Sequence, residues 1–281
     1  TEETLGLCPR KLEDYLNEIA EVKSGQCINR LTKRIIKAVV PVHVFGHPVD
    51  LDPLVEVCNK YHLKLIEDAA ESLGSFYKGR HTGNWGVMSA LSFNGNKIIT
   101  TGGGGAILTN DKNLAKKAKR LTTTSKIPHQ WEYIHDEIGY NYRLPNINAA
   151  IGCAQLEDLP KFLKAKRELA LLYKKTFKKI GGIRFHTESK DAHCNYWLNV
   201  LLLDEKFSSK RNELLKITND NGIMTRPAWR LLTKLPMFNE FPKMNLNVAE
   251  SLERCLINIP SSSSISQEEV DHKKNIIGKL K

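Results

Sequence analysis

Residues 66–105 read IEDAAESLGSFYKGRHTGNWGVMSALSFNGNKIITTGGGG. An acid, Asp68, ends a short apolar run, and a second run from Val87 to Phe93 feeds a turn that carries Lys97. Four glycines, Gly102 to Gly105, come next. Short apolar runs bounded by turn residues read as buried strands. An acid at one strand end and a lysine beyond another can converge at the carboxyl rim of a parallel sheet, where ligands bind in open α/β folds.

Those two side chains suit a pyridoxal phosphate (PLP) site. An amine is needed to hold the cofactor aldehyde as a Schiff base, and a carboxylate to keep the pyridine nitrogen protonated. The protonated ring then stabilises the carbanion left when a substrate Cα loses its proton. Lys97 supplies the amine and Asp68 the carboxylate. Once a substrate amine displaces it, the lysine can carry protons between substrate and cofactor carbons. Spacing alone does not single out this pair, since an exposed lysine after a strand and an acid at a helix cap fit it more simply.

Longer stretches are more specific. SFNGNKIITTGGGGAILTND at 92–111 resembles the Schiff-base segment of the DegT/StrS-type nucleotide-sugar aminotransferases. PVHVFGHPVD at 41–50, EDAAESLGS at 67–75 and GYNYRLPNINAAIGCAQLE at 139–157 match in the same order. KIPHQWEYIHDE before the last of these, and GIMTRPAW at 222–229, look most like the LegC-like branch, which aminates 4-keto sugars on nucleotide carriers. The resemblance runs from near residue 5 to about 262. It implies an α/β protein of PLP-dependent transferase fold type I, the aspartate aminotransferase-like class. A large, mostly parallel sheet domain, N-terminally incomplete, would occupy residues 1–160. A long helix and a smaller C-terminal α+β domain would occupy 161–281.

Composition narrows the setting. The chain has 281 residues, 41% hydrophobic and 26% charged, ordinary for a globular protein. No apolar run is long enough to span a bilayer and the start does not resemble a signal peptide, so no membrane partner is expected. Six scattered cysteines without a CxxC pair read as reduced thiols of a cytoplasmic protein, with no metal site. The net charge of +11 admits nucleic acid, an acidic surface or an anionic small molecule. The densest cluster, Lys116, Lys117, Lys119 and Arg120, reads as a solvated helix face, and no nucleic-acid motif accompanies it.

Along the chain, residues 9–22 have helical spacing, and Lys23 to Arg34 reads as a polar, exposed connection. Ile35 to Phe45 reads as one buried parallel strand. Asp50 is placed to cap a helix over Leu51 to Tyr61, and Leu63 to Ile66 is the next strand. Right-handed crossover puts the ends of these strands on one rim, with His43 there, where scaffold is its commoner role. Asn110 or Asp111 caps a helix to Leu121. Thr122 to Arg143 lacks periodicity but is rich in aromatics, as functional loops often are. Helices are expected over 146–158 and 160–179, broken at Pro160. Ser266 with Glu269 forms a capping-box pattern.

The resemblance assigns further roles. Ser92 would bind the cofactor phosphate, and Asn141, assisted by Arg143, would reach the phosphate site of the partner in a homodimer. Glu71 would approach the cofactor's phenolic oxygen, although the family more often has Gln there and a first-turn acid favoured by the helix dipole fits as well. Arg226, Trp229 and Lys234 fall in a segment that closes over substrate, where an arginine suits a carboxylate or diphosphate and a Trp offers a stacking face. The implied reaction moves an amino group from L-glutamate to C4 of a nucleotide-diphosphate 4-keto deoxy-hexosamine. Sugar dehydratases on the same fold have His at the position of Lys97. The chain begins TEETLG, without Met, well inside the family's large domain. It therefore reads as a fragment lacking the phosphate-binding turn and the ring-stacking aromatic. That reading motivates an alternative, an inactive binding or dimerisation module.

Overall fold

The computed structural model describes residues 1–278. Pro9, whose missing N–H is harmless in a first turn, opens helix α1 (Pro9–Ile19). Strands β1 (Ala20–Lys23) and β2 (Gln26–Asn29) form a hairpin through Ser24 and Gly25, with φ of 51° and 72°. Two left-handed residues match the twist that such a tight hairpin requires. Strand β3 (Ile35–Ile36) pairs antiparallel with β2, and Cys27 and Asn29 are buried. The polar stretch 23–34 is thus folded rather than an exposed connection, because its buried positions are too few to register as a pattern.

The run from Ile35 to Phe45 is also divided. Strand β4 (Ala38–Val39) belongs to a second sheet, and Pro41, which has no N–H to donate, ends it. Helix α2 (Leu51–Lys60) crosses from β4 to the parallel β5 (Lys64–Asp68). Asp50 stands at its N-cap without a side-chain cap bond. A small hairpin, β6 (Phe76–Tyr77) and β7 (Arg80–His81), leads to β8 (Met88–Ser92), parallel to β5. Strand β9 (Gly105–Leu108) runs antiparallel beside β8, so the sheet order is β4-β5-β8-β9. Leu12 and Leu16 of α1, Leu51, Leu54 and Val57 of α2, and Leu65 of β5 share one core.

Helix α3 (Lys112–Leu121) is capped by Asp111, which accepts from the N–H groups of Asn113 and Leu114. The segment that follows is irregular apart from the short pair β10 (Lys126–Ile127) and β11 (Ile134–His135). Helix α4 (Asn146–Phe177) then runs 32 residues with Pro160 inside it, in place of the two helices expected from the sequence. Proline removes one helical bond and crowds the preceding turn, but packing at both ends of a long helix can outweigh that. Pro160→Ala is therefore expected to raise stability, by up to about 3 kcal/mol, measured by urea unfolding.

The C-terminal sheet is antiparallel. Strands β12 (Ile183–Phe185), β13 (Ala192–His193) and β14 (Asn199–Leu203) are followed by α5 (Arg211–Asp220), β15 (Arg226–Pro227), α6 (Asn247–Cys255), β16 (Leu256–Ile259) and α7 (Gln267–Ile277). Its order is β12-β14-β16-β15, while β13 returns to pair with β6. Leu169, Tyr173 and Phe177 of α4 pack with Leu201, Ile257 and Val270 in its core. Position 160 is thus spanned by α4, and β13 ties the C-terminal part back to the first. Ser266 and Glu269 form the reciprocal capping box at α7. Among the described residues no helix is long and apolar enough to cross a membrane.

Candidate active site

Strand β5 ends on Asp68, whose N–H bonds the Pro41 carbonyl at 2.9 Å, while the Asp68 carbonyl accepts the His43 N–H at 3.2 Å. The Asp68 carboxylate accepts the Ala70 N–H at 3.1 Å, a local turn that starts the chain away from the rim. One turn on, Glu71 Oε2 accepts the Phe45 N–H at 2.8 Å. Phe45 holds a φ of 58°, a left-handed conformation rare for a bulky residue. Such outliers concentrate at functional sites because the surrounding structure must hold them.

Lys97 lies on a loop closed by the Lys97 N–H on the Asn94 carbonyl and the Thr101 N–H on the Phe93 carbonyl, both at 3.0 Å. Its Nζ stands 3.5 Å from Glu71 Oε1, with the two side chains only 13% and 12% exposed. Burial pushes the Glu71 carboxyl up; the Phe45 N–H and the Lys97 ammonium pull it down, and the charge of Asp68 pushes it up further. The net result lies above the ordinary glutamate range. Lys97 Nζ also sits 4.0 Å from the centre of the Trp197 ring. Trp229 stacks on Phe45 at 5.3 Å and on Trp197 at 6.3 Å, extending the aromatic layer that the amine meets at Trp197. Ser92, at the end of β8, accepts the Asn94 N–H on its hydroxyl oxygen at 3.3 Å.

The other candidates lie elsewhere. His43 is fully buried: Nδ1 accepts the Val49 N–H at 3.3 Å, and Nε2 meets Glu67 Oε2 at 3.1 Å. Glu67 also accepts the N–H groups of Gly83, Trp85 and Gly86 at 2.7, 2.6 and 2.8 Å. His43 thereby braces the scaffold beneath the rim. Asn141 and Arg143 are exposed, joined by a 3.2 Å bond, and line a cavity of about 790 Å³ with Gly103 to Gly105 and Lys119. Arg226 donates to Asn219 Oδ1 at 2.9 Å and to the Thr225 carbonyl at 2.8 Å. Lys234 pairs with Glu253. The chain therefore gathers Lys97, Glu71, Asp68 and Trp229, with Ser92 on the adjoining strand. Asn141 and Arg143 share a separate cavity, and Arg226 and Lys234 are engaged within the C-terminal part.

Four residues of this arrangement escaped sequence reading: Phe45, Glu67, Asn195 and Trp197. Asn195 Nδ2 donates to the carbonyls of Glu71 and Leu73, each at 2.9 Å, tying the C-terminal part to the Glu71 turn. Gly46, with φ of 94°, leaves room for it, since a Cβ there would lie 1.9 Å from Asn195 Oδ1. Glu67 did carry a signal: it has the same strand parity as the buried Leu65, an inward place that no acid occupies without partners. An amine paired with one carboxylate, with a second carboxylate acting on the first, and lying over an aromatic face at a sheet rim is a donor set that fits PLP.

Residues 12–280 match the DegT/DnrJ/EryC1/StrS aminotransferase family. A GDP-perosamine synthase of Escherichia coli O157:H7 is 40% identical over 257 residues, 92% of this chain and 69% of that protein. The putative pyridoxal phosphate-dependent aminotransferase EpsN of Bacillus subtilis is 38% identical over 239 residues, 83% of this chain and 60% of its own length. Among solved structures, Helicobacter pylori PseC, an aminotransferase involved in the biosynthesis of pseudoaminic acid, superposes with a TM-score of 0.82 at 28% identity. That match covers 86% of this chain and 66% of PseC. The chain thus spans about two thirds of the length of these relatives.

Proposed function

The chain belongs to the DegT/DnrJ/EryC1/StrS aminotransferase family, and we propose that it is a cytoplasmic, PLP-dependent aminotransferase of nucleotide-linked sugars. The amino donor is L-glutamate and the acceptor is the C4 keto group of a nucleotide-diphosphate deoxy-hexosamine. The observation that carries this reading is the Lys97 amine, 3.5 Å from a Glu71 carboxylate that itself lies in the field of Asp68, at the rim of the parallel strands. The names of the relatives, a GDP-perosamine synthase among them, support a nucleotide-sugar acceptor.

PLP, when bound, supplies the aldehyde and the electron sink. The chain's residues do the rest. Lys97 would hold the cofactor, then carry the proton of the donor's Cα to the cofactor and, in the second half of the cycle, from the cofactor to the acceptor's C4. Asp68 would keep the pyridine nitrogen protonated, Glu71 would meet the ring hydroxyl, and Ser92 would donate to the phosphate. Asn141 and Arg143 serve the phosphate site of a second copy, so the working unit is a homodimer. Trp229 walls the acceptor, with Arg226 and Lys234 on the segment beside it. Residues 1–160 carry the cofactor and 161–281 the closing part.

The test combines the purified chain with PLP, L-glutamate and a nucleotide-linked 4-keto-6-deoxy sugar. Equal amounts of 2-oxoglutarate and aminated sugar are expected, at a turnover on the order of 1–100 per second. A dehydrated sugar without 2-oxoglutarate would point to a dehydratase instead. A dimerising module without turnover is the second reading, favoured by Trp131, Tyr133 and Tyr142, large rings left exposed in the irregular segment before α4. A dimer in solution that releases no 2-oxoglutarate would support it.

A further inference from the structure

We propose that Trp197 is a positioning residue for the reactive amine: its indole is the seat on which Lys97 rests whenever it is not bonded to cofactor. This inference rests on the reading of Lys97 as the amine that holds PLP. The indole engages the lysine loop twice. Its Nε1–H donates to the carbonyl of Asn96, the residue before the lysine, at 2.6 Å. Its face lies under Lys97 Nζ at 4.0 Å, where the negative face of the ring attracts an ammonium. One side chain therefore fixes both the backbone next to the lysine and the place of its charged end.

The indole is itself held rigidly. It is 2% exposed, in a cluster with Phe45, Val200, Leu202 and Leu256. The Trp197 N–H donates to Asn195 Oδ1 at 2.8 Å, and its carbonyl accepts Lys166 Nζ at 2.9 Å. Lys166 reaches the Ser261 carbonyl as well, at 2.5 Å, which pins the tryptophan between α4 and the end of β16. The preceding residue, Tyr196, has φ of 49°, a second left-handed aromatic at the site, and this backbone bend turns the chain into Trp197. Asn195 also grips the Glu71 carbonyl, so one three-residue segment sets the Lys97 loop and the Glu71 turn against each other.

Such a seat has a purpose in a two-stage transfer. The lysine is released when the donor amine takes its place and must be recaptured each cycle. An amine free to swing loses orientation, and positioning of reacting groups accounts for a large part of enzymatic rate. Ring face and Glu71 carboxylate together hold the released ammonium within reach of the site.

The test compares the unsubstituted chain with Trp197→Leu, Trp197→Phe and Val200→Ala. Val200, on β14, shares the tryptophan's cluster. Without PLP, limiting acetic anhydride and peptide mass mapping read the accessibility of Lys97. With PLP, borohydride fixing reads the rate of capture at Lys97. Trp197→Leu is expected to raise Lys97 acetylation about threefold to tenfold and to slow PLP capture by a similar factor. Trp197→Phe, which keeps a ring face but loses the N–H, is expected to fall between. Val200→Ala is expected to lower the melting temperature and leave both Lys97 readouts unchanged. Unchanged acetylation in Trp197→Leu, or equal rises in Trp197→Leu and Val200→Ala, would overturn the seat. If the unsubstituted chain captures no PLP at Lys97 while the acetylation pattern holds, the cofactor reading fails and the seat stands.

Discussion

A chain carrying Lys97→Ala is expected to give no borohydride-stable PLP adduct and to lose at least about a thousandfold in aminotransfer. General acid–base catalysis alone contributes 10²–10⁴-fold, and on the proposed reading this lysine is also the covalent attachment point. Lys97→Arg separates the two contributions. It keeps a cation beside Glu71 but supplies neither an amine nucleophile nor a proton carrier at neutral pH. Both variants should therefore be equally inactive, while Lys97→Arg should keep the melting temperature closer to that of the unsubstituted protein. Mass mapping of the reduced adduct decides the matter: PLP fixed in Lys97→Ala at the same level as in the parent would remove Lys97 from its role. Loss of the charge next to Glu71 also leaves that buried carboxyl without its cation, so some stability change in the alanine variant is expected.

The second large effect concerns stability. Glu67 is fully buried and accepts from His43 and from the N–H groups of Gly83, Trp85 and Gly86. Glu67→Ala strands all of those donors, and removing one partner of such a buried network costs about 3–5 kcal/mol. That corresponds to a fall in melting temperature of roughly 6–20 °C. Glu67→Gln keeps the shape but turns an NH₂ toward donors, so a loss of about 1–3 kcal/mol is expected. A melting temperature within a degree or two of the parent in both variants would contradict this account. Burial pushes the Glu67 carboxyl up, but the His43 bond and the N–H groups of Gly83 and Gly86 outweigh it and hold it below the ordinary range. A depressed carboxyl contributes stability that is fully present above its unfolded value, near 4.3, and is lost as pH falls through the folded value. Acid unfolding below about pH 4.5 should therefore be shallower in Glu67→Gln than in the parent, read by circular dichroism.

The sequence was most legible where local chemistry fixes the backbone. The Asp111 cap and the Ser266–Glu269 box each depend on residues within a few positions of one another, and the crossover from β4 through α2 to β5 on a helical stretch between two short apolar runs. It was less legible at prolines: tertiary packing lets α4 absorb Pro160 against local preference, and Pro41, lacking an N–H, divides an apolar run that looked continuous. Within the site, Lys97 and Asp68 are legible through the longer stretches that carry them, 92–111 and 67–75, rather than through their spacing, which an exposed lysine and a capping acid fit as well. Trp197 and Asn195 are not, because their partners, Asn96 and Glu71, lie about a hundred residues earlier in the chain and leave no periodic trace. The position of Glu71, paired with Lys97, follows from the Phe45 N–H that holds it, a contact made possible by an unusual backbone angle that no composition reveals.

Helix α4 gives the molecule a fixed mechanical phase. Near its start, Asn148 donates to the Thr101 carbonyl at 2.5 Å and Gln155 accepts the Thr100 N–H at 3.4 Å, close behind Lys97 in the chain. Farther along, Lys166 holds the carbonyls of Trp197 and Ser261, and Tyr173 reaches Pro260. The helix thus works as a camshaft, with two sets of lobes cut at a set angle to each other. One residue inserted between 155 and 166 would rotate the sets by about 100° and separate them by about 1.5 Å. Either the loop behind Lys97 or the bracket in front of it would lose its contacts. Length changes that loops would absorb are therefore barred from this stretch, although most of its surface faces water.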